Sequence, residues 1–271
     1  MAINDITLTA GMRSNLLSLQ KTADLFDRTQ IRLSTGKKVN NPIDDPVNYF
    51  AAKGHMDRAG DLAALKDSMN EAIQTIKAAD TGIKGIEELV AQARSLANSA
   101  LATSDTTVRS SLAAQFDELR IQIDQLASDS GYRGKNVINS DNLQVIFNED
   151  GTSSLTISGV DATSTGLGIA AATHSWADET DITAAIAHLD SAKVTLRQYA
   201  ETLSSNLAVV QTRIDFTNNM VNTLTKGAEN LTLADMNEEG ANMLMLQTRQ
   251  ALGTTALSLA SQAAQSVLRL F

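Results

Sequence analysis

The sequence has no cysteine, two prolines and ten aromatic side chains in 271 residues. Without cysteine the chain can form no disulfide framework, zinc ribbon, iron–sulfur site or thiol nucleophile. Both prolines, Pro42 and Pro46, lie near the start, so the 225 residues from Val47 onward contain none. With few aromatics and 38 alanines, this composition favours long packed helices over an aromatic-rich globular core.

Positive charge is also scarce, because 22 Lys and Arg stand against 31 Asp and Glu and give a net charge of −9. A nucleic-acid binder needs a basic face to neutralise phosphates, so we expect no nucleic-acid partner. No run of about 18 apolar residues occurs, so we expect no membrane insertion. The first residues have neither a basic segment nor an apolar segment, and we expect no cleaved secretory signal.

Small or apolar residues recur at alternating steps of three and four along three segments. The first segment covers residues 62–100, the second 108–126 and the third 182–231. Such a/d seams predict three long antiparallel helices that pack as a rod-like bundle. The protein is therefore predicted to be mainly α-helical.

Four residues weaken these seams. Lys193 and Thr217 are the polar positions of the third seam. Gly82 and Gly85 interrupt the first seam, where each costs about 1 kcal/mol relative to alanine. Close approach of another helix is the interpretation that the two glycines favour, and a flexible point is the alternative.

Between the second and third seams the pattern changes to β. Residues 143–147 and 154–158 are β-prone runs on either side of Asp150-Gly151, which predicts one small β-hairpin. Residues 159–181 are rich in Gly, Ala, Thr and Ser without any period, so we expect a surface connection there.

The two ends of the chain also carry seams, over residues 12–33 and 252–270. The last helix, about residues 242–271, has charges only at Arg249 and Arg269, and its leucines spread around the cylinder. One partner helix cannot cover them, so we expect other copies to do so, the alternative being burial within one domain. We also expect that these terminal segments lack an internal partner, are disordered in the monomer and fold on assembly.

No residue pattern for catalysis emerges. The three histidines are far apart and belong to no metal or catalytic motif. The adjacent acids at 87–88 and 238–239 point about 100° apart on a helix, so we interpret them as solvated faces. Asp44 and Asp45 could bind a cation, but no further acid lies nearby. We therefore expect no enzymatic activity, no catalytic residue, no cofactor and no metal.

Three ordered segments resemble the signatures of bacterial flagellins. Residues 32–46 resemble the motif R-L-S-S-G-x-R-I-N-x-x-x-D-D, and residues 206–214 resemble L-G-A-V-Q-N-R. Residues 247–251 and 256–270 resemble the flagellin ending, Q-x-x-Q-A followed by L-A-Q-A-N and V-L-x-L-L. The residues of the first motif that match are Arg32, Leu33, Ser34, Gly36, Asn40, Asp44 and Asp45.

The resemblance implies a domain organisation and a function. Residues 1–40 and 236–271 are similar to the two halves of an inner coiled-coil domain, residues 41–235 are similar to a rod domain, and the outer variable domains are absent. Such a chain would be a structural subunit of the flagellar filament, self-assembling through its terminal helices into a tube that transmits motor torque. The residues expected at the filament interface are Met12, Leu16, Leu19, Phe26, Leu33, Leu252, Leu259, Val267, Leu268 and Leu270.

The resemblance also implies location and partners. Flagellins are exported unfolded through the flagellar type III channel without a cleaved signal. The expected partners are other copies of the chain, other flagellins, hook-associated and cap proteins, and an export chaperone. Two positions depart from the family pattern, since Leu233 replaces the first Asp of D-A-D and Ser261 replaces an Asn. The alternatives are a hook–filament junction protein and an unrelated coiled-coil scaffold.

Two finer expectations concern surface residues. Gln92 stands where flagellins detected by an innate receptor have arginine, while Arg94 matches their pattern. Because arginine is a typical hot-spot residue, we expect weak receptor recognition. The hydroxyls of residues 152–165 are expected to be exposed and are candidates for O-linked glycans: Thr152, Ser153, Ser154, Ser158, Thr163, Ser164 and Thr165.

Overall fold

The computed structural model describes residues 10–268, apart from the side chains of residues 264, 267 and 268. The described residues fold into five long helices and one two-stranded sheet: α1 (Ala10–Thr35), α2 (Pro46–Leu101), α3 (Thr106–Asp129), β1 (Leu143–Ile146), β2 (Ser154–Ile157), α4 (Glu179–Thr232) and α5 (Met236–Leu268). They divide into two compact units, one of residues 58–222 and one of residues 10–57 with 223–268. The prediction of a mainly α-helical chain with one small hairpin is confirmed.

The core of the 58–222 unit follows the predicted seams. Along residues 62–100 of α2, every seam residue is buried except Leu65, which is half-buried. These side chains pack with residues of α3, of the hairpin and of α4 in one continuous core. Its largest fully buried members from α2, α3 and α4 are Met69, Ile76, Ile83, Ile86, Phe116, Ile123, Ile182, Leu189 and Leu196.

The two glycines of the first seam mark close contacts. A Cβ added at Gly85 would lie 2.8 Å from Leu126 Cδ2 of α3, and one added at Gly82 would lie 2.7 Å from Ile138 Cδ1. Real Cβ atoms do not approach other atoms this closely. Close approach of another helix, which the glycines favoured in the sequence, is therefore confirmed at Gly85, whereas Gly82 contacts Ser130, which caps α3, and Ile138 in the segment after it.

Two seam positions were predicted wrongly. Val108 is exposed and Arg109 beside it is buried, while Lys193 is exposed and Ala192 is buried. The Arg109 guanidinium donates hydrogen bonds to the carbonyl oxygens of Ala100 (3.2 Å) and Thr103 (2.7 Å), near the end of α2. The carbonyls at a helix C-terminus lack intrahelical donors, so a buried arginine that satisfies them can replace an apolar seam residue.

The hairpin forms with the predicted turn. Strand β1 pairs antiparallel with β2, in a register that sets Leu143 opposite Ile157 and Ile146 opposite Ser154. Gly151 has a φ of +68°, a conformation that glycine adopts without strain. The Asp-Gly pair therefore fixes where the strands reverse.

The segment that follows the hairpin is not the surface connection that its composition predicts. Leu167, Ile169 and Trp176 are buried, and the Trp176 ring packs against Phe116 of α3 with centroids 4.9 Å apart. His174, Ser175 and Trp176 all have φ between 47° and 59°, a left-handed turn that directs the indole inward. Isolated apolar side chains in a Gly- and Thr-rich segment give no periodic signal, so pattern analysis missed them.

Candidate assembly surfaces

The unit of residues 10–57 and 223–268 contains the flagellin-like signature. Gly36, with a φ of +69°, ends α1, and its carbonyl accepts a hydrogen bond from Ala234 N at 2.9 Å. Lys38 N donates to Thr232 O at 2.7 Å, so the chain after α1 lies beside the end of α4. The glycine is needed because a side chain at this φ would be strained.

The terminal helices α1 and α5 pack against each other. Arg32 Nη1 donates to Glu239 Oε1 at 2.8 Å. A Cβ added at Gly253 would lie 2.5 Å from Leu19 Cδ2. Since residue 19 lies by residue 253 and residue 32 by residue 239, the two helices are antiparallel. The expectation that the terminal segments lack an internal partner is wrong, because each is the partner of the other.

Glu239 is not on a solvated face, contrary to the interpretation of residues 238–239 from the sequence. Its side chain is only 8% exposed and it is paired with Arg32, so it does not belong to a solvated face. Glu238 beside it is exposed. Arg32 of the signature is therefore held by a charged partner on another helix. The sequence shows two adjacent acids at 238 and 239 but not that one of them pairs with Arg32.

The interface residues predicted on α1 and α5 fall into two groups. Met12, Leu19, Phe26 and Leu33 are half-buried, whereas Leu16, Leu252 and Leu259 are exposed. Leu17, Leu244 and Met245 are further exposed apolar side chains of these helices, which the prediction did not include. The remaining predicted residues, Val267, Leu268 and Leu270, lie outside the described side chains.

Asp44 and Asp45 of the signature bind backbone amides. Asp44 Oδ2 accepts hydrogen bonds from the amides of Asn40 and Asn41, both at 3.0 Å, and these donors hold the pKa of Asp44 below its usual value. Asp45 Oδ1 accepts from Asn48 N at 3.0 Å in the first turn of α2, which likewise lowers the pKa of Asp45. Both carboxylates therefore order the turn between α1 and α2.

The remaining signature residues have smaller structural roles. Ser34 Oγ donates to Ile31 O at 2.9 Å within the last turn of α1, and Asn40 Nδ2 donates to Lys37 O at 2.9 Å. These local hydrogen bonds order the backbone at the end of α1. The signature as a whole thus forms one ordered connection between two helices.

Ile43, Val47 and Phe50 are a feature that pattern analysis missed. They are 95%, 77% and 60% exposed, and they surround the start of α2. The seams of the sequence analysis do not include them. Their spacing of four and three residues could have identified them as one face of a helix start.

In α2 of the other unit, Gln92 is exposed and contributes to a shallow groove of about 440 Å³ with Leu96, Glu118 and Leu119. Arg94 is half-buried and pairs with Asp190 of α4, Nη2 to Oδ2 at 3.2 Å. The structure therefore does not bring Gln92 and Arg94 together, because they face different neighbours.

The hydroxyl residues near the hairpin differ in exposure. Thr152, Ser154, Ser158 and Thr165 are exposed, while Ser153 and Thr163 are half-buried. Ser164 is fully buried and its Oγ donates to Asp124 Oδ2 at 3.0 Å, so the expectation of an exposed hydroxyl is wrong there. The other oxygen of Asp124 on α3 accepts from Ser164 N at 2.7 Å, so the two hydrogen bonds anchor the segment to α3.

Within residues 10–268, no three His, Asp or Glu side chains converge on a position that could hold a metal ion. None of the described helices combines the length and apolar character that crossing a membrane requires. Exposed large apolar side chains occur on both terminal helices and at the turn between α1 and α2.

Comparison with known families identifies the family of the chain. Residues 3–142 match the model of the bacterial flagellin N-terminal helical region, and residues 180–271 match that of the bacterial flagellin C-terminal helical region. The chain belongs to the bacterial flagellin family. It is a structural subunit of the flagellar filament.

Several flagellins align with this chain over its full length or nearly so. Flagellin FljM of Caulobacter vibrioides is 31% identical over 277 residues, covering 100% of both chains. A flagellin of Brucella melitensis is 26% identical and covers 99% of this chain and 97% of its own. Among solved structures, Bacillus cereus flagellin matches 55% of this chain and 88% of its own at a TM-score of 0.49 and 18% identity.

Proposed function

We propose that copies of this flagellin polymerise through the outward sides of the α1–α5 pair. The observation that carries the proposal is a stripe on α5, formed by Met245, Leu252 and Leu259, which are 46%, 65% and 61% exposed. We call these three residues the α5 stripe. They recur every seven residues and so lie within about 20° of one line along the helix.

The energetics favour covering this stripe. Burying a leucine side chain contributes about 1.5–3 kcal/mol, so several leucines on each copy supply a substantial driving force. The described part of the pair buries few side chains, namely Thr22 and Thr29 on α1 and Glu239 and Leu246 on α5. We therefore expect α1 and α5 to depend on neighbouring copies for their order, and to be disordered in the exported monomer.

The same reasoning supports two parts of the subunit with different roles in the filament. Residues 1–40 and 236–271 would form the inner coiled-coil part of the subunit, and residues 41–235 the outer rod part. Residues 58–222 bury a continuous core within one copy, which suits a rod part that folds after export without a partner. Head-to-tail contacts whose rotation does not close into a ring would extend the subunits into a helical filament able to transmit torque.

The finer expectations from family resemblance remain proposals. The subunit would be exported unfolded through the flagellar type III channel without a cleaved signal and would lie in the extracellular filament. It would meet other flagellins, hook-associated and cap proteins, and an export chaperone. It would be weakly recognised by the innate receptor, because Gln92 replaces an arginine, and it would not act as an enzyme.

Glycosylation would be confined to the exposed hydroxyls. Thr152, Ser154, Ser158 and Thr165 are accessible to a transferase, whereas Ser164 is not. Intact-mass measurement of native filaments tests this proposal. A mass equal to that of the sequence would exclude it.

Substitution on α5 tests the polymerisation proposal. Leu252→Glu places a charge in the stripe, and Gln250→Glu is a matched control, since residue 250 is exposed and lies about 200° away around the helix. Electron microscopy after addition of a precipitating salt should show long filaments for the control and none for Leu252→Glu. Removing residues 252–271 should also abolish filaments while circular dichroism still shows the helices of residues 58–222. Normal filaments from Leu252→Glu or from the truncated chain would overturn the proposal.

A further inference from the structure

Three neighbouring residues just before α4 lie in the left-handed region of backbone conformation. His174, Ser175 and Trp176 have φ values of 47°, 50° and 59°. Elsewhere among the described residues, non-glycine residues with positive φ occur singly, at Arg133 and Ser140. L-residues adopt this conformation one at a time and not in succession, because the Cβ atom comes too close to the following carbonyl oxygen. The turn therefore holds backbone strain that an opened conformation would release.

The indole of Trp176 is what holds this turn against the core. Of residues 173–180, only Trp176 is buried, and its ring packs against Phe116 of α3 with centroids 4.9 Å apart. Trp176 Nε1 is also buried, and it has no hydrogen-bond acceptor among the described residues. A buried N–H group without an acceptor has lost its bond to water and gained none in return. Burial of the ring is thus opposed by both the strained backbone and the unpaired donor.

Both ends of the turn are fixed to the same helix. On one side, Ala172 N donates a hydrogen bond to Asp117 Oδ1 of α3 at 3.1 Å. On the other side, Arg109 Nη1 of α3 donates to Ala177 O at 3.1 Å. Residues 173–176 lie between these two anchors, so they can change conformation without displacing α3 or the start of α4. A segment with a single buried side chain between fixed ends is of the kind that opens locally.

We propose that residues 173–176 form a strained lid over Phe116, which opens and carries the Trp176 indole into solvent while α2, α3 and α4 stay folded. Opening costs the apolar contact with Phe116, and it releases the left-handed turn and lets water accept from Nε1. The open lid exposes two aromatic rings as a transient apolar site on the unit of residues 58–222. This inference concerns that unit alone and does not depend on polymerisation through α5.

Hydrogen exchange tests the lid, because the chain has one tryptophan and so one indole N–H resonance. The full-length monomer is transferred to deuterated buffer at increasing urea concentrations and followed by NMR. The amides of Ile86 in α2 and Ile123 in α3 report the opening of the buried core. The protection factor of the indole should be roughly 100-fold lower than those of the two amides. It should also be nearly independent of urea, since a local opening exposes little surface.

A glycine in the turn tests whether strain drives the opening. Ser175→Gly removes the Cβ from a left-handed position, so the protection factor of the indole should rise about fivefold. Ser191→Gly is the matched control, since Ser191 is exposed in the helical interior of α4. That control should lower the protection of the core amides and leave the protection of the indole unchanged. Circular dichroism verifies that both variants keep their helices.

Each outcome decides the inference. An indole proton that exchanges with the protection and urea dependence of the Ile86 and Ile123 amides would overturn it, because the turn then opens only when the core unfolds. Unchanged or lower indole protection in Ser175→Gly would overturn it as well. A loss of indole protection in Ser191→Gly that parallels the loss at the core amides would do the same. None of these results bears on whether the chain forms filaments, so the proposed function is tested separately.

Discussion

Arg32 on α1 and Glu239 on α5 form an ion pair at 2.8 Å although 207 residues separate them in the sequence. Leu19 and Gly253 meet 13 residues before Arg32 and 14 residues after Glu239, about 20 Å further along the helices. The ion pair and the glycine contact therefore fix the same antiparallel register between the terminal helices.

The glycine contact predicts how α5 tolerates a methyl group. Gly253→Ala would place a Cβ 2.5 Å from Leu19 Cδ2, so Leu19 must shift or the helices must separate. Gly240→Ala is the matched control, since nothing lies within 4 Å of its added Cβ and alanine favours the helix by about 1 kcal/mol. Heating filaments in a circular dichroism cell should dissociate the Gly253→Ala form below the unsubstituted temperature and the Gly240→Ala form at or above it. A higher dissociation temperature for Gly253→Ala would contradict the observed helix contact.

The left-handed turn before α4 predicts a stabilising substitution. Ser175 has φ 50° and ψ 32°, a conformation that costs a residue with a side chain about 1–2 kcal/mol. Ser175→Gly should therefore raise the free energy of unfolding by about 1 kcal/mol. Urea titration followed by the fluorescence of Trp176, the sole tryptophan, measures it.

The control for that substitution is the same change in a helix. Ser111→Gly in α3 should lower the free energy of unfolding by several tenths of a kcal/mol, because Ser111 is exposed and helical. If both substitutions lower the stability, the turn at residues 174–176 is not strained.

Removal of the buried guanidinium of Arg109 should lower the free energy of unfolding strongly. It donates to Ala100 O, Thr103 O and Ala177 O, so it joins the end of α2 to the segment before α4. Arg109→Leu keeps the apolar stem but leaves three carbonyls without this donor, which should lower the free energy of unfolding by about 2–4 kcal/mol.

Arg94→Leu provides the comparison for Arg109. The Arg94–Asp190 pair is more than 40% exposed at both side chains, and its loss should cost less than about 1 kcal/mol. Chemical denaturation of both variants measures the difference. Equal effects would show that burial does not set the contribution of Arg109.

The capping carboxylates predict a response to pH. Backbone donors lower the pKa of Asp44 below its ordinary value of 3.8, so its contribution to the turn is complete at neutral pH. The contribution is lost only as the pH falls through the lowered pKa. The amide resonances of Asn40 and Asn41 should therefore stay constant down to about pH 4 and move below it.

The variant Asp44→Asn distinguishes the pH response of Asp44 from that of Asp45. It should abolish the acid-induced shift of the Asn40 and Asn41 amides while the Asn48 amide, bonded to Asp45, still responds. A midpoint above 3.8 for the Asn40 amide in the unsubstituted chain would contradict the hydrogen bonds seen at Asp44.

Much of the helical architecture follows from the sequence alone. Apolar steps of three and four force long helices to bury one side, so the seams of α2 and α4 could be predicted. The same steps did not reveal that α1 and α5 pack against each other within one copy. Asp150-Gly151 fixed the hairpin because only certain residues adopt the backbone of such a turn. The family signatures at both ends identified the chain, and the family comparisons confirm them.

Tertiary structure decided what depends on a partner distant in sequence. Arg109 and Glu239 are charged residues that sequence patterning assigned to solvent or ignored, yet both are buried since each meets a partner on another element. Trp176 reaches the core through a left-handed turn that no period encodes. The exposure of Ile43, Val47 and Phe50 was also decided by the tertiary structure, because no other element covers these side chains. Periodicity reports what a helix buries against a neighbour, whereas ion pairs, backbone strain and uncovered surface exist only once the chain is folded.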